Sequence, residues 1–594
     1  MNTFSALNSN ITSNIFIIIN DGDYVIPTDM ILPNQISNMY LWLDANDNST
    51  FTFTDSTFIT AWNDKSGYMN NASNNISTII LSTINSKNSV FYPIGQSLTI
   101  ANFVFDTFPF TYFAVFNFSG GLSTTDTNTL LSATDPPDQN GILYQQFDNT
   151  NYKIAYGATG GDSDCLVVSN SFNNSGLTLV TFQIDNSGNT VILNINGNTS
   201  IETSNLLHTP LHTNGISSSS VIKSMLGMYV SEMLLYRSKL SIRDYLKIEG
   251  YLAWKWGIKS KLSSSHLYSK FAPVNYSFSG SNTLQLPTAT YATVSATAIN
   301  DDGFMIMTTN TKGIFYSRTY GSTWVLSNAP TSIIWVNCAM NNNGIAFACS
   351  AASVYYSTDA GITWNLTSAP PPPLNTPYAY ISVNNNGNVI VMATNNPNNV
   401  IYASLFDKTY STWKSNTIVN AIIIQISLAD NGYGMITGNT QFIALTNNYG
   451  DTWTNLQRGT GAGGTVAWAF GGSISPSGNY LVANSAGTPT TFLRYSINNG
   501  TSWASTFAVS GSAFVRLVVG NNGTVFGTFS TGAAGFPNSL ITGFITKLAQ
   551  TDTSRVTFSH SSAALRTMAI TQNGLVIVYT VTISGVPTLI VRNP

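Results

Sequence analysis

Three aspartates near the start of the chain are the clearest candidates for metal chemistry. Asp44 and Asp47 stand in the segment 39–47, and Asp64 stands in the segment 61–67. Calcium takes about six to eight oxygen ligands, so these three carboxylates together could contribute to a calcium site. The competing interpretation, which we favour, is that each carboxylate accepts hydrogen bonds inside its own turn. We therefore expect no cofactor, with calcium as the alternative.

Other groups that could do chemistry are sparse. The chain contains three glutamates, Glu202, Glu232 and Glu249, and none of them lies in its C-terminal half. Hydrolysis of glycosides uses a pair of carboxyl groups, or a tyrosine nucleophile activated by a glutamate, in one cleft. Cys338 and Cys349 flank one predicted turn and could face each other, but we favour reduced core cysteines.

Composition excludes several classes of partner. Of the 594 residues, 8% are charged, the net charge is −3 and lysine and arginine do not cluster, so we expect no nucleic-acid partner. No apolar run approaches the roughly 18 residues of a membrane span. With 43% hydrophobic and 12% aromatic residues, the chain can form well-packed cores, and its length predicts two or more domains.

The stretch 353–364 recurs in imperfect copies through the C-terminal half. In it Asp359 can accept hydrogen bonds from a tight turn, Gly361 can take a positive φ, and Trp364 can fold back under the turn. We predict a β-hairpin in which these residues and Ser357 have structural roles. The copies place Gly321 and Trp324, then Asn448, Gly450 and Trp453, then Asn498, Gly500 and Trp503 at the same spacing, and a fifth copy ending at Trp413 lacks the glycine.

A second repeated feature predicts the architecture of this half. Short polar segments that end in glycine stand between apolar, β-rich runs, as expected for hairpin turns. They recur at a period that suits four-stranded propeller blades, so we predict seven blades, or six if the last two turns share one blade. Residues 284–292 are expected to supply an outer or inner strand that closes the ring. The segments are 299–303, 340–344, 383–387, 428–432, 474–478, 519–523 and 570–574.

The preceding part of the chain predicts an antiparallel all-β domain with one helix. Apolar runs separated by turn residues favour two facing sheets, a jelly-roll sandwich, and residues 240–257 have helical spacing with a cap at Ser241 and Asp244. The predicted domains are an N-terminal arm at 1–35, the sandwich at 36–262, a polar linker at 263–285 and the propeller at 286–594.

Two families resemble these patterns. The stretch around Asp359 resembles the Asp-box (BNR) repeat of sialidase-like β-propellers. Segments 41–45, 62–67 and 247–257 resemble the conserved features of concanavalin A-like and laminin G-like domains, and the combination is similar to structural proteins of large DNA viruses. The resemblance implies Asp-boxes at the blade periphery, away from the ligand-binding face, and a sandwich of a kind that often binds glycans, sometimes with calcium.

The resemblance also raises sialidase activity, which needs an arginine cluster, a glutamate-activated tyrosine and an acid/base aspartate. The predicted propeller has no glutamate and no Arg-Ile-Pro opening, so we expect the chain not to be an enzyme. Its arginines are scattered: Arg318, Arg458, Arg494, Arg516, Arg555, Arg566 and Arg592.

The function that these observations favour is a non-catalytic structural protein of a large DNA virus. It would be a minor capsid, vertex or fibre component at the capsid surface, with other capsid proteins and host glycans as its expected partners. The alternatives are a glycan-binding adhesin outside a virus and, less favoured, a sialidase-like glycoside hydrolase.

Overall fold

The computed structural model describes residues 30–74, 78–101, 103, 109–118, 127–133, 141–146, 152–157, 166–167, 176–185, 191–203, 219–223, 227–263, 266–269, 272–273, 281–285, 294–395, 398–407, 409–419, 423–438, 442–455, 460–461, 464–465, 467–486, 490–510, 513–530, 541–548, 556–559, 567–583 and 586–592. The protein is all-β with one α-helix in this part of the chain. The chain divides into two compact units, one of residues 1–240, 247–263 and 270–274 and the other of residues 241–246, 264–269 and 275–594. Residues 1–29 of the predicted arm lie outside the described residues.

The first unit is built from antiparallel strands. In chain order they are β1 (Met39–Asp44), β2 (Phe51–Thr54), β3 (Phe58–Trp62), β4 (Ala72–Ser73), β5 (Ile80–Ile84), β6 (Lys87–Tyr92), β7 (Ser97–Ala101), β8 (Phe110–Phe118), β9 (Thr127–Ala133), β10 (Gly141–Gln146), β11 (Tyr152–Gly157), β12 (Leu166–Val167), β13 (Thr178–Ile184), β14 (Val191–Ile195), β15 (Asn198–Thr203), β16 (Ser219–Lys223) and β17 (Met228–Tyr236). Short 3₁₀ helices cover Pro33–Gln35, Asn48–Thr50 and Lys259–Lys261.

All of these strands belong to one hydrogen-bonded network. One series pairs β15, β14, β13, β8 and β17, and β17 continues to both β1 and β6. The other series runs from β12 through β11, β10, β9, β16, β7 and β4 to β3 and β2. The strand β6 also pairs with β5, and a pairing between Phe58 of β3 and Ile80 of β5 joins the two series. The coarse prediction of an antiparallel β unit is confirmed, whereas the jelly roll itself is not.

The helix α1 (Ile242–Lys255) begins at the predicted cap. The Asp244 N–H donates to Ser241 Oγ at 3.1 Å, and Ser241 Oγ donates to Asp244 Oδ2 at 2.8 Å. Gly257, at φ +69°, follows the last turn with the left-handed backbone that favours glycine. The cap residues thus supply the local signal that starts this helix.

The second unit is a β-propeller. Its described residues form seven four-stranded antiparallel sheets. In chain order the first three are sheet 1, β19 (Val294–Ile299), β20 (Met305–Thr309), β21 (Ile314–Ser317) and β22 (Val325–Leu326); sheet 2, β23 (Trp335–Met340), β24 (Ala346–Ser350), β25 (Val354–Ser357) and β26 (Asn365–Leu366); and sheet 3, β27 (Tyr378–Val383), β28 (Val389–Asn395), β29 (Asn398–Ser404) and β30 (Lys414–Val419).

The remaining sheets follow the same order. Sheet 4 contains β31 (Ile423–Leu428), β32 (Gly434–Gly438), β33 (Phe442–Thr446) and β34 (Thr454–Asn455), and a small hairpin of β35 (Thr460–Gly461) and β36 (Gly464–Thr465) follows it. Sheet 5 contains β37 (Ala467–Ile474), β38 (Leu481–Ala486), β39 (Thr490–Ser496) and β40 (Ala504–Ser510), and sheet 6 contains β41 (Ala513–Val519), β42 (Thr524–Ser530), β43 (Ile541–Lys547) and β44 (Val556–Ser559). Sheet 7 contains β45 (Thr567–Ile570), β46 (Ile577–Ile583), β47 (Val586–Arg592) and β18 (Ser281–Gln285).

The first strands of the seven sheets lie side by side in a closed ring. Each of β19, β23, β27, β31, β37, β41 and β45 neighbours the next, and β45 returns to β19. The last two predicted turns, 519–523 and 570–574, fall in different sheets. Apolar side chains of adjacent sheets, such as Met305 and Leu589, form the core between them.

Sheet 7 joins the two ends of the propeller. Its outermost strand is β18, which precedes sheet 1 in the chain and pairs antiparallel with β47 from Ser281↔Arg592 to Gln285↔Thr588. Within the predicted linker at 263–285, residues 281–285 form a strand through the ladder with β47. The expected closing strand at 284–292 overlaps β18 at residues 284–285.

Candidate functional site

The repeated stretch around Asp359 is a self-contained hydrogen-bonded turn. Asp359 Oδ1 accepts the N–H of Thr363 at 2.8 Å and the Ser357 hydroxyl at 2.8 Å, and Oδ2 accepts the Thr363 hydroxyl at 2.7 Å. Gly361 has φ +89°, and its carbonyl accepts the indole N–H of Trp364 at 3.0 Å. Asp359 is buried, so its carboxylate is committed to the turn.

In two of the copies an asparagine stands at the position of Asp359 and makes the equivalent hydrogen bonds. Asn448 Oδ1 accepts the N–H of Thr452 at 2.9 Å, and its amide donates to the Thr452 hydroxyl at 2.8 Å. Asn498 repeats both contacts with Ser502, at 3.0 and 2.8 Å. In these copies the tryptophan N–H donates to the glycine carbonyl, Trp453 to Gly450 and Trp503 to Gly500, each at 3.1 Å.

The remaining two copies depart from the pattern. Near Gly321, the Thr319 hydroxyl accepts the Thr323 N–H at 3.0 Å, and among the described residues the Trp324 indole N–H has no hydrogen-bond partner. In the copy without glycine, Tyr410 takes φ +52° at the glycine position, and its carbonyl accepts the Trp413 N–H at 2.9 Å. The spacing therefore identified hairpins whose side chains support turns.

The turns that follow the innermost strands form a second structure, which we call the turn ring. The third residue of each five-residue turn segment carries most of its contacts. Asp301 N–H donates to Asn342 Oδ1 at 3.0 Å, Asn342 N–H to Asn385 Oδ1 at 3.0 Å, and Asn385 N–H to Asp430 Oδ1 at 2.7 Å. The other links are Asp430 N–H to Pro476 O at 2.8 Å, Ser477 N–H to Asn521 Oδ1 at 2.8 Å, Asn521 N–H to Gln572 O at 2.7 Å and Asn573 N–H back to Asp301 Oδ1 at 3.0 Å.

A pair of amides crosses the turn ring. The Asn385 amide donates to Gln572 Oε1 at 2.7 Å, and the Gln572 amide donates to Asn385 Oδ1 at 2.9 Å. Because these residues belong to sheets 3 and 7, the pair bridges non-adjacent sheets at this end of the ring. Burial raises the pKa of Asp430, although hydrogen bonds from Asn385 lower it in part.

The innermost strands enclose a channel of about 440 Å³ with lining residues from all seven sheets. Each innermost strand of sheets 1 to 6 has a register shift in its first half, and bulges of this kind re-aim side chains. The residues just after four of these shifts, Asn337, Tyr380, Gln425 and Arg516, line the channel with polar groups.

The lining residues that the structure describes include no carboxylate. Among its described lining residues Arg516 is the one charged side chain, and the remainder are apolar, hydroxyl, amide or thiol groups. Burial raises the pKa of Tyr380, although the Arg516 guanidinium lowers it in part. A tyrosine whose pKa is raised is protonated at neutral pH and is a poor nucleophile. The described lining therefore contains hydroxyl and amide groups and one positive charge, and no pair of carboxyl groups is among them.

The three predicted calcium ligands lie in the first unit. Asp44 and Asp47 converge on the ammonium of Lys65, at 3.0 and 2.8 Å, and Asp44 also pairs with Lys255 at 2.7 Å. Asp64 instead accepts the backbone N–H groups of Trp42 and Ser66, both at 2.8 Å, and of Asn70 at 3.0 Å. Within the described ranges, no group of three or more histidine, cysteine, aspartate or glutamate side chains could hold a metal ion.

These contacts do not fit a calcium site, because ammonium groups occupy the positions that a cation would take. The turn interpretation describes all three aspartates, because Asp44 also accepts the Asn46 N–H at 3.1 Å and Asp47 the Ser49 N–H at 3.2 Å. The ion pairs of Asp44 and Asp47 were not anticipated. The hydrogen bonds from Lys65 and Ser49 lower the pKa of Asp47 to about 2. Burial alone would lower the pKa of Lys65, but the carboxylates of Asp44 and Asp47 raise it above its ordinary value.

The burial of Glu232 and its set of partners were not predicted from the sequence. It is fully buried, and its Oε1 accepts the Trp42 indole N–H at 2.8 Å and the Tyr251 hydroxyl at 3.0 Å. Its Oε2 accepts the Trp256 indole N–H at 2.7 Å and pairs with Lys255 at 2.8 Å. Burial raises the pKa of Glu232, although Lys255 lowers it in part. The available signal was a charged residue in the otherwise apolar segment 228–236.

The second glutamate of this unit is also committed to structure. Glu249 Oε1 accepts the Thr181 hydroxyl at 2.8 Å and the Asn194 amide at 3.2 Å, and the side chain is fully buried. Glu202 has a described backbone in β15, while its side chain lies outside the description. Glu232 and Glu249 therefore have hydrogen-bond partners that hold them inside the fold.

Comparison with known proteins gives likenesses of fold. No protein-family model and no curated protein matches this chain. YCF48 from Cyanidioschyzon merolae is 14% identical with a TM-score of 0.37 over 52% of this chain and 98% of its own. The Dos1 propeller is 10% identical with a TM-score of 0.36 over 53% and 95% of the two chains. An ancestral GH74 enzyme is 13% identical with a TM-score of 0.35, and the match covers 49% of this chain and 45% of the enzyme.

These values are too low to transfer an activity, a ligand or a partner. Among the described residues, none of the helical segments combines the length and hydropathy that a bilayer-spanning helix requires.

Proposed function

We propose that this chain is a non-catalytic structural protein of a virus particle, placed at the capsid surface as a minor capsid, vertex or fibre component of a large DNA virus. Its partners would be other capsid proteins, with host glycans as a second class. The proposal that the chain is non-catalytic rests on the channel, whose described lining has no carboxylate. The virus-particle setting rests on the resemblance of segments 41–45, 62–67 and 247–257 and of the hairpin repeats.

The blade count of the propeller and the fold of the first unit are also part of this proposal. We infer that all seven sheets are propeller blades, supported by the closed order of their innermost strands. We also infer that the first unit is a concanavalin A-like jelly roll, supported by its two series of paired strands. The hairpins around Asp359, Asn448 and Asn498 would then be Asp-boxes that stiffen the blades.

A glycan-binding adhesin is the second candidate, and the channel lining favours it over a hydrolase. Tyr380 places a hydroxyl in the lining, a group of the kind that hydrogen-bonds to sugars. The amides of Asn337 and Gln425 also line the channel, although they already donate to the carbonyls of Ala379 at 3.1 Å and Leu517 at 2.6 Å. A sialidase-like hydrolase would also use a tyrosine and an arginine, which Tyr380 and Arg516 could supply. The activating glutamate is missing from the described lining.

Quantitative mass spectrometry of gradient-purified particles tests the virus-particle role. We expect this chain to co-sediment with the major capsid protein at a fixed ratio across fractions, and to remain after a high-salt wash. Absence from particles, or a ratio that drifts between fractions, would contradict the proposal. A glycan array probed with the full chain then tests the adhesin: specific binding combined with absence from particles would favour it.

A further inference from the structure

The loop between β26 and β27 contains four consecutive prolines, Pro370 to Pro373, followed by Leu374. Each residue that precedes a proline is kept out of the α region, and each proline has its φ fixed near about −65°. Covalent geometry therefore holds residues 369–372 in an extended, polyproline II conformation before any tertiary contact is considered.

The propeller fixes both ends of this run. The Tyr378 hydroxyl donates to the carbonyl of Pro370, and the hydroxyl of Thr376 donates to the carbonyl of Pro373. The Thr376 N–H also donates to the Pro373 carbonyl, at 2.9 Å. Thr376 and Tyr378 are both buried. A proline-rich strand with anchored ends loses little further freedom when a partner binds it.

The exposed side of the loop is apolar and uncharged. Leu374 has 90% of its surface exposed, more than any other large apolar side chain in the described part of the chain. Pro371 and Pro373 are exposed, while Pro370 and Pro372 are half-buried. Residues 366–378 include no charged residue. Leu374 therefore stands out from the surface directly after two exposed prolines.

Comparison with the preceding loop shows that the proline run exceeds what the fold needs. Between β22 and β23 the Trp335 indole N–H donates to the carbonyl of Pro330 at 3.2 Å, the counterpart of the bond between Tyr378 and Pro370. That loop makes this contact with one proline. Pro371, Pro372 and Pro373 are thus additional to the shared anchor. The anchor that the two loops share therefore does not account for these three prolines.

We propose that residues 370–374 are a docking element for a partner with an aromatic-lined groove that binds polyproline II segments. Such grooves take proline rings between aromatic side chains and place a neighbouring apolar residue in a pocket. The loop precedes the innermost strand β27, so it lies at the end of sheet 3 opposite to the turn ring. This surface is separate from the channel and does not depend on what the channel binds.

The test measures binding of the full chain to purified SH3, WW and EVH1 domains by biolayer interferometry. At least one of these domains is expected to bind with a Kd below about 1 mM. The double variant Pro371→Ser/Leu374→Asn should weaken that binding at least about tenfold, which corresponds to about 1.4 kcal/mol. Ile334→Asn is the matched control, because Ile334 is 64% exposed in the equivalent preceding loop, and it should leave binding unchanged.

A proline decamer supplies an independent readout, since it should compete for the wild-type interaction whether or not the double variant folds well. The proposal is overturned if none of the domains binds, if the double variant binds like the wild type, or if the decamer fails to compete.

Discussion

Asn385 and Gln572 exchange two hydrogen bonds although 187 residues separate them in the chain. The pair joins sheet 3 to sheet 7 across the turn ring. Asn385 also accepts the N–H of Asn342 and donates to Asp430, so one side chain connects the turns of four sheets. This amide therefore holds the end of the propeller on which the turns converge.

Asn385→Ala should be clearly destabilising, because it leaves partners in three other turns without their hydrogen bond. Each of these partly buried hydrogen bonds contributes about 0.5 to 1.5 kcal/mol. Gln572→Ala should cost less, since its side chain contacts Asn385 alone among the hydrogen bonds described. Urea unfolding measures both, with Asn386→Ala as the control, because the exposed Asn386 side chain makes a single described hydrogen bond to the turn ring, to Asp430 O at 3.2 Å. Equal effects of the Asn385 and Asn386 variants would contradict the role of the turn ring.

Asp359→Asn should preserve the hairpin, whereas Asp359→Ala should destabilise it. Asn448 and Asn498 already make the equivalent contacts in their own copies, so the amide is a suitable substitute. Alanine removes the acceptor of the Thr363 N–H and hydroxyl, at a cost of about 1 to 3 kcal/mol. Thermal unfolding of the two variants beside the wild type gives the comparison. A loss as large for asparagine as for alanine would show that charge, and not hydrogen bonding, matters here.

Asp47→Asn should lower stability at neutral pH and have no effect in strong acid. The pKa of Asp47 is lowered from 3.8 to about 2 in the folded protein, so its contribution is present above 3.8 and is lost as the pH falls through about 2. The difference in Tm between wild type and variant should therefore close over this range. Replacing Lys65 with methionine should shrink the difference at neutral pH. A difference that stays constant with pH would exclude the ion pair as its cause.

Cys338 and Cys349 should stay reduced and unreactive in the folded protein. Cys338 pairs with Ala348 and Cys349 with Asn337, so the two thiols point to opposite faces of sheet 2. Burial raises the pKa of both thiols to about 12. Iodoacetamide at about pH 8 should leave both unmodified in native protein and alkylate both in urea, as read by peptide mass spectrometry. A peptide that contains both cysteines in a disulfide would contradict this geometry.

The sequence predicted local structure better than it predicted contacts between distant residues. Glycine and tryptophan spacing located the hairpins around Asp359, because a turn's hydrogen bonds lie within a few residues. The helix cap at Ser241 was predictable for the same reason. The convergence of Trp42, Lys255 and Trp256 on Glu232 was not, since it depends on strand pairing over long separations. The polar strand β18 was not predicted as a strand over residues 281–285, because it depends on the ladder with β47.

In the candidate site, too, local features were predictable and contacts between distant residues were not. Asp44, Asp47 and Asp64 were predicted to be turn residues or calcium ligands, but the ion pairs of Asp44 and Asp47 with Lys65 and Lys255 could not be assigned from spacing. The polar lining of the channel follows from register shifts in separate strands, which have no signature in the chain. What the sequence did indicate is the scarcity of carboxylates, and the described channel lining has none.

The most direct test of the account is hydrolysis of a fluorogenic glycoside panel that includes a sialoside, followed with purified full-length chain across about pH 4 to 8. We predict release of fluorophore at the rate of the buffer blank, with Arg516→Ala indistinguishable from the wild type. Hydrolysis above the blank that Arg516→Ala or Tyr380→Phe abolishes would contradict the claim that this propeller is non-catalytic.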